Sequence, residues 1–263
     1  MNAVRMALIA FLAAGALATT ASAEVRHRSV SYQDGDLELT GHLYWDDAFD
    51  GKRPGVMVVH EWWGLNDYAR KRARMLAEMG YVAFAADMYG GGKVTEHGKQ
   101  AGEWMRQITD NVEDWRRRAV LGLEQLRGDT RVDTDRVAAV GYCFGGATVM
   151  QMAYGGADLD GVVSFHGSLP LPGEGVDGIG PAVLVAHGNA DTFVPPERLA
   201  GFKDAMEAAG ADWQLITYGG ARHGFTNPNA GDYGIDKLAY DPVADRRSWA
   251  AMRRFLDEIF LTE

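Results

Sequence analysis

The sequence predicts an α/β fold, with a mainly parallel central sheet flanked by helices on both faces, and three observations point to it. Strand-length apolar segments alternate with stretches of helical period over most of the chain. Those segments are apolar throughout rather than at every second position, as strands buried on both faces must be. Residues 141–146 read as a sharp strand-to-helix turn, a feature that such sheets carry at their carboxyl edge.

The elements follow in order. Met1 to Ala23 match a secretory leader: Arg5 is the only charge, Met6 to Ala18 is apolar, and Ala21-Ser22-Ala23 is the small-x-small pattern cut by signal peptidase. The apolar run of 13 residues falls short of the roughly 20 that span a bilayer. Cleavage before Glu24 is therefore expected, with export to the periplasm or beyond and no stable membrane association afterwards. Residues 24–263 contain no repeat, linker or charge block, so a single domain is expected.

His27 to Tyr32 and Leu37 to Tyr44 alternate as an antiparallel pair joined at Asp34-Gly35. Buried strands are expected at Gly55 to Val59, Tyr81 to Ala86, Val137 to Gly141, Gly161 to Phe165 and Ala182 to Ala186, with a weaker one at Gln214 to Tyr218. Helical spacing links Val112, Trp115, Ala119, Leu123 and Leu126, then Leu199, Phe202 and Met206, then Trp249, Met252, Leu256 and Ile259.

Composition excludes several classes. At 263 residues with 47% hydrophobic and 24% charged, the chain is neither disordered nor of low complexity. The formal net charge is -10, and removing the leader takes away one Arg and no acid, giving -11. Nucleic acid and anionic membranes need concentrated positive charge and are poor partners. The single cysteine, Cys143, offers no disulfide, so an exported form must rely on its core.

Cys143 lies in Gly141-Tyr142-Cys143-Phe144-Gly145-Gly146, between the strand Val137 to Val140 and the apolar segment Ala147 to Tyr154. This is the context of a nucleophile elbow. Glycines at 141 and 145 let strand and helix backbones approach closely. The helix dipole favours a thiolate at its N-terminus, and the Phe144 amide points where an oxyanion would form. The Lys and Ser/Thr of a P-loop are missing, as is dinucleotide-fingerprint spacing.

A thiol nucleophile needs a base, and the base needs an orienting acid. Asp191 follows the strand Ala182 to Ala186, and His223 lies in a Gly-rich loop after the next strand, so Cys143, Asp191 and His223 fit the order of the architecture. Taken singly, Asp191 also reads as a helix cap and His223 as a loop histidine. His60, His166 and His187 end strands too, but no pair has i, i+4 spacing, and no metal site is indicated.

Together with His60-Glu61-Trp62-Trp63-Gly64-Leu65-Asn66, Asp87-Met88-Tyr89, His187-Gly188-Asn189-Ala190-Asp191 and Ala221-Arg222-His223-Gly224-Phe225, the elbow resembles the dienelactone hydrolase family, of α/β-hydrolase fold. The resemblance spans nearly all of residues 24–263. It implies Cys143 as nucleophile, His223 as base and then acid, and Asp191 as its orienter. It also implies that Glu61 meets the resting thiol and exchanges a proton with it when substrate arrives, and that the Trp62 amide is the second oxyanion donor. A thiol so kept oxidises more slowly than a thiolate.

One departure bears on substrate. Family members that act on dienelactone grip its carboxylate with two arginines, one shortly after the Asp-x-Tyr segment and one four residues after the catalytic His. Here those neighbourhoods read Tyr89-Gly90-Gly91-Gly92-Lys93 and Thr226-Asn227-Pro228. A neutral Asn227 cannot replace a bidentate guanidinium. Lys93 and Arg222 are the cations that could compensate, and Trp63 and Tyr89, with an aromatic wall at Trp62-Trp63, are further candidate substrate contacts.

The expected activity is hydrolysis of a small-molecule carboxylic ester or lactone, of the carboxymethylenebutenolidase type, through a thioester acyl-enzyme and with no cofactor. Acyl transfer or thioester hydrolysis by the same triad stays open, as does a non-catalytic periplasmic binding protein on the same scaffold.

Overall fold

The computed structural model describes residues 24–173, 176 and 178–261; the expected leader lies outside the described residues. Strands β1 (Val25–Asp34) and β2 (Leu37–Asp46) pair antiparallel with Asp34 opposite Leu37. The hairpin loop is thus Gly35-Asp36, one residue later than expected, because Gly35 at φ 61° takes the left-handed conformation that the tight turn needs.

There follow β3 (Arg53–Val59), α1 (Asp67–Glu78), β4 (Val82–Ala86), α2 (Gly98–Thr109), α3 (Val112–Arg127), β5 (Val132–Tyr142), α4 (Phe144–Tyr154), β6 (Gly161–Phe165), β7 (Ala182–Gly188), α5 (Pro196–Ala208), β8 (Trp213–Tyr218) and α6 (Pro242–Leu261). A short 3-10 turn, Ala230–Tyr233, precedes α6. The sheet order is β1-β2-β4-β3-β5-β6-β7-β8. Only β1 and β2 run against their neighbours; from β4 to β8 every pairing is parallel. This is an α/β-hydrolase-type fold.

Alternation within each central strand splits the core in two. Met57 and Val59 of β3 join Phe84, Ala139, Val162 and Val185 on the face covered by α2 to α5. Val56 and Val58 join Ala85, Val140, Val163 and Leu184 on the face covered by α1 and α6. Each Val, Leu, Met or Phe side chain so taken from water contributes about 1.5–3 kcal/mol.

Helices α1 and α2 were not evident in the periodicity. The inner face of α1 is made of Ala69, Ala73, Leu76 and Ala77 around a buried Arg72, so small residues and a charge disguise the stripe. The start of α1 is set by Asn66, whose side chain accepts from the Ala69 amide. The Arg72 guanidinium has a structural task. It donates to Asp245 of α6 at 2.6 Å and to the Thr226 carbonyl at 2.5 Å, and it lies 5.2–5.6 Å from the rings of Tyr68, Tyr142 and Trp249.

The topology also fixes where chemistry collects. After β3 the chain moves to β4 on one side, and it returns to β5 on the other, pairing Val59 with Gly141. Such a switch point opens a crevice beyond the carboxyl ends of the strands. The loops after β3, β5, β7 and β8, carrying Glu61, Cys143, Asp191 and His223, all emerge along that edge.

Candidate active site

Cys143 stands between β5 and α4 at φ 55°, ψ −111°. That conformation costs a non-glycine residue about 1–3 kcal/mol, and it persists only where its surroundings enforce it. They do so here. The Cys143 amide donates to the Phe165 carbonyl at 3.0 Å, and the Cys143 carbonyl accepts from Ala147 at 3.2 Å to open α4. A Cβ at Gly141 would collide with the Gly145 carbonyl, and one at Gly145 with the Val59 carbonyl. Strand, turn and helix are thus pressed together, leaving a partly exposed thiol at the tip.

His223 reaches this tip from the loop after β8. Its Nδ1 lies 2.8 Å from Asp191 Oδ2, and it lines the same cavity as Cys143. Asp191 is both a turn former and the histidine's partner, since its Oδ1 accepts from the Phe193 amide at 2.9 Å. The His166 and Phe193 rings stand edge-on to the imidazole at 5.2 and 4.9 Å and restrict its tilt. Burial works to lower the His223 pKa, but the Cys143 charge and the Asp191 hydrogen bond outweigh it, and the value is pushed up to about 10.

Glu61 lies in the same cavity. Its Oε2 accepts from Asn227 Nδ2 at 2.5 Å. Asn227 thus engages one oxygen of the carboxylate that the resemblance assigns to the resting thiol, and Glu61 shares the cavity lining with Cys143. Burial raises the Glu61 carboxyl from 4.5 to about 7, against Asn227 and His223, which both favour ionisation. A raised carboxyl favours the fold only while protonated. The penalty is absent below about 4.5, grows as pH rises, and is complete above about 7. Glu61→Gln is therefore expected to stabilise the protein by up to about 3 kcal/mol at pH 8 and to leave it unchanged at pH 4, as compared by denaturant melts.

The cavity has a volume of ≈ 440 Å³. Cys143, Glu61, His223 and Asn227 form its polar side; Trp62, Trp63, Trp115, Phe144 and Phe193 are its aromatic walls. Trp63 stacks on Tyr233 at 3.9 Å, and Trp62 meets Trp63 edge-on at 4.9 Å, so the expected aromatic wall is also core packing.

The sequence model of the dienelactone hydrolase family matches residues 40–260. The chain belongs to the dienelactone hydrolase family. Among solved structures, a dienelactone hydrolase-like promiscuous phosphotriesterase, P91, from metagenomic libraries is 41% identical; the match covers 90% of this chain and 99% of that one, with a TM-score of 0.88. A Yersinia pestis protein described as a candidate carboxymethylenebutenolidase is 28% identical over 200 residues, 72% of this chain and 74% of that one. Protein usf of Aquifex pyrophilus is 28% identical over 211 residues, 78% and 88% of the two chains.

As a dienelactone hydrolase family member the chain is a hydrolase, and its expected substrate contacts need three corrections. Lys93 does not line the main cavity; it borders a separate one of ≈ 170 Å³ with Tyr89 and Trp104. Arg222 points away and donates to the Asp236 carbonyl at 3.0 Å. Tyr89 lies behind the wall, where its hydroxyl donates to the Trp62 carbonyl at 3.0 Å. The residues missed are Arg198, in the first turns of α5, and Tyr233, in the 3-10 turn; both line the cavity. Neither sits in a motif, so no signal in the chain marked them.

Proposed function

We propose that this dienelactone hydrolase family member cleaves uncharged carboxylic esters and lactones through Cys143, His223 and Asp191 and a thioester intermediate. The observation that supports this most is the His223 ring, 2.8 Å from Asp191 and lining one cavity with Cys143.

The steps follow from that arrangement. His223 takes the thiol proton, and the sulfur attacks the carbonyl carbon while the C=O electron pair moves onto oxygen. The amides of Phe144 and Trp62 receive this oxyanion. Phe144 is the first residue of α4, where the helix ladder gives its N–H no acceptor, and the Trp62 N–H has no acceptor among the described residues. Collapse breaks the ester C–O bond, and His223 protonates the leaving oxygen. Water, deprotonated by His223, then attacks the thioester and releases the acid and the thiolate. Asp191 holds the Nδ1–H tautomer throughout. Glu61 is a second acceptor for the thiol proton, held near neutrality by burial.

Preference for uncharged substrates follows from the charges at hand. Asn227 is neutral and engaged with Glu61, while Lys93 and Arg222 lie elsewhere. Among the described residues Arg198 is the only Lys or Arg lining the cavity, and it is solvent-exposed. A relative described as a promiscuous phosphotriesterase fits this reading, since a phosphotriester carries no net charge. Export after removal of residues 1–23 belongs to the same proposal, on the leader pattern alone.

The test is to trap and weigh the acyl-enzyme across paired neutral and carboxylate-bearing esters and lactones. Neutral members are expected to acylate Cys143 at least about 10-fold faster, equivalent to about 1.4 kcal/mol. Faster acylation by the carboxylate-bearing members would overturn the substrate assignment. Capture of the acyl group by added alcohol in preference to water would turn the reading toward acyl transfer.

A further inference from the structure

We infer that His60 is a positioning residue that aims the Trp62 amide at the oxyanion; the inference rests on the thioester reading above. His60 follows β3 and is fully buried. Its Nδ1 lies 2.5 Å from the Glu61 carbonyl, and its Nε2 lies 3.2 Å from the Met88 amide. A carbonyl only accepts and a backbone amide only donates. The ring therefore carries its proton on Nδ1 and a lone pair on Nε2, a single neutral tautomer set by two immobile partners.

The Glu61 carbonyl and the Trp62 N–H are opposite ends of one trans peptide. Being planar, that unit points the two groups in opposite directions. Drawing the carbonyl toward His60 thus turns the N–H away from the core, and Trp62 lines the cavity that Cys143 shares. The next peptide is tethered too, since the Tyr89 hydroxyl donates to the Trp62 carbonyl at 3.0 Å.

Both tethers issue from one rigid turn. Asp87 is fully buried, and its Oδ1 accepts from the amides of Tyr89 and Gly90 at 2.9 Å each, while Oδ2 accepts from Thr40 at 3.1 Å. Met88 and Tyr89 are thereby held where they must meet His60 and Trp62. Without the His60 hydrogen bond, the Glu61–Trp62 peptide is free to rotate. A carbonyl dipole facing the cavity would then repel the oxyanion that an N–H should receive.

The two imidazole nitrogens can be tested apart. In His60→Asn the amide can reproduce the donor at Nδ1, whereas in His60→Gln it reproduces the acceptor at Nε2 and loses the donor. With p-nitrophenyl acetate, His60→Gln is expected to lower kcat by about 10–100-fold with KM within about 2-fold, and His60→Asn to recover most of the loss. Alkylation of Cys143 by iodoacetamide forms no oxyanion at an acyl carbon, so its rate should match wild type in both variants.

Equal losses in the two variants, or alkylation falling in step with turnover, would overturn the inference. Should His60→Gln not fold, Tyr89→Phe removes the second tether without emptying the core. A lower kcat with unchanged alkylation then supports the clamp, and wild-type kcat refutes it. Turnover at the wild-type rate in Cys143→Ala would instead overturn the thioester reading itself.

Discussion

Replacing Cys143 with alanine is expected to lower kcat/KM for p-nitrophenyl acetate by about 10⁴-fold or more and to abolish the covalent acyl adduct seen by mass spectrometry. The expectation is sharp because the substitution removes the proposed nucleophile and little else. Alanine at φ 55°, ψ −111° carries the same backbone strain as cysteine, and the glycine contacts that enforce the elbow are untouched. Stability should therefore change little, and a lost rate reports chemistry rather than unfolding. What activity remains should come from the amides of Phe144 and Trp62 and from His223 acting on water. A variant as active as wild type would leave the scaffold a binder or place the reaction elsewhere.

Gly141→Ala is expected to cost at least about 3 kcal/mol, out of a total that for an ordinary domain is about 5–15 kcal/mol. The added methyl would strike the Gly145 carbonyl, and α4 cannot retreat, because Gly145 itself lies against the carbonyls of Val59 and His60. Three backbones are stacked with no flexible side chain among them to give way. Gly231→Ala is the control: a Cβ there has no neighbour within 4 Å and no left-handed φ to oppose it, so a change within about 0.5 kcal/mol is expected. Urea unfolding of both variants measures the difference. Equal stability of the two would mean that the elbow is looser than its contacts imply.

The parts legible in the sequence were those where chain order and burial dictate structure. Strand β6, Gly161–Phe165, was readable because five successive buried residues admit few alternatives. The placement of Cys143, Asp191 and His223 at one sheet edge was readable because a tight elbow demands glycines and the other two each follow a strand of their own. Helix α2 was hidden because Gly98 and Gly102, rather than large apolar residues, face Trp62. Lys93 and Arg222 misled because nearness in sequence to a functional segment does not aim a side chain. Arg198 and Tyr233 arrive at the cavity from α5 and from the turn before α6, an approach decided by tertiary packing. The role of His60 was invisible for a related reason: a polar residue at a strand end says nothing of which peptide its ring will grasp.

The Arg72 cluster has a consequence of its own. One guanidinium joins α1, the carboxylate of Asp245 near the beginning of α6, and the Thr226 carbonyl, three residues beyond His223. Thr226 Oγ1 in turn lies 2.7 Å from His166 Nε2 and 2.6 Å from the Tyr68 hydroxyl. The terminal helix is therefore more than a cover for one side of the sheet. Like a guy-rope, it ties down the loop that carries His223 from a distance, through Arg72 and the Thr226 carbonyl.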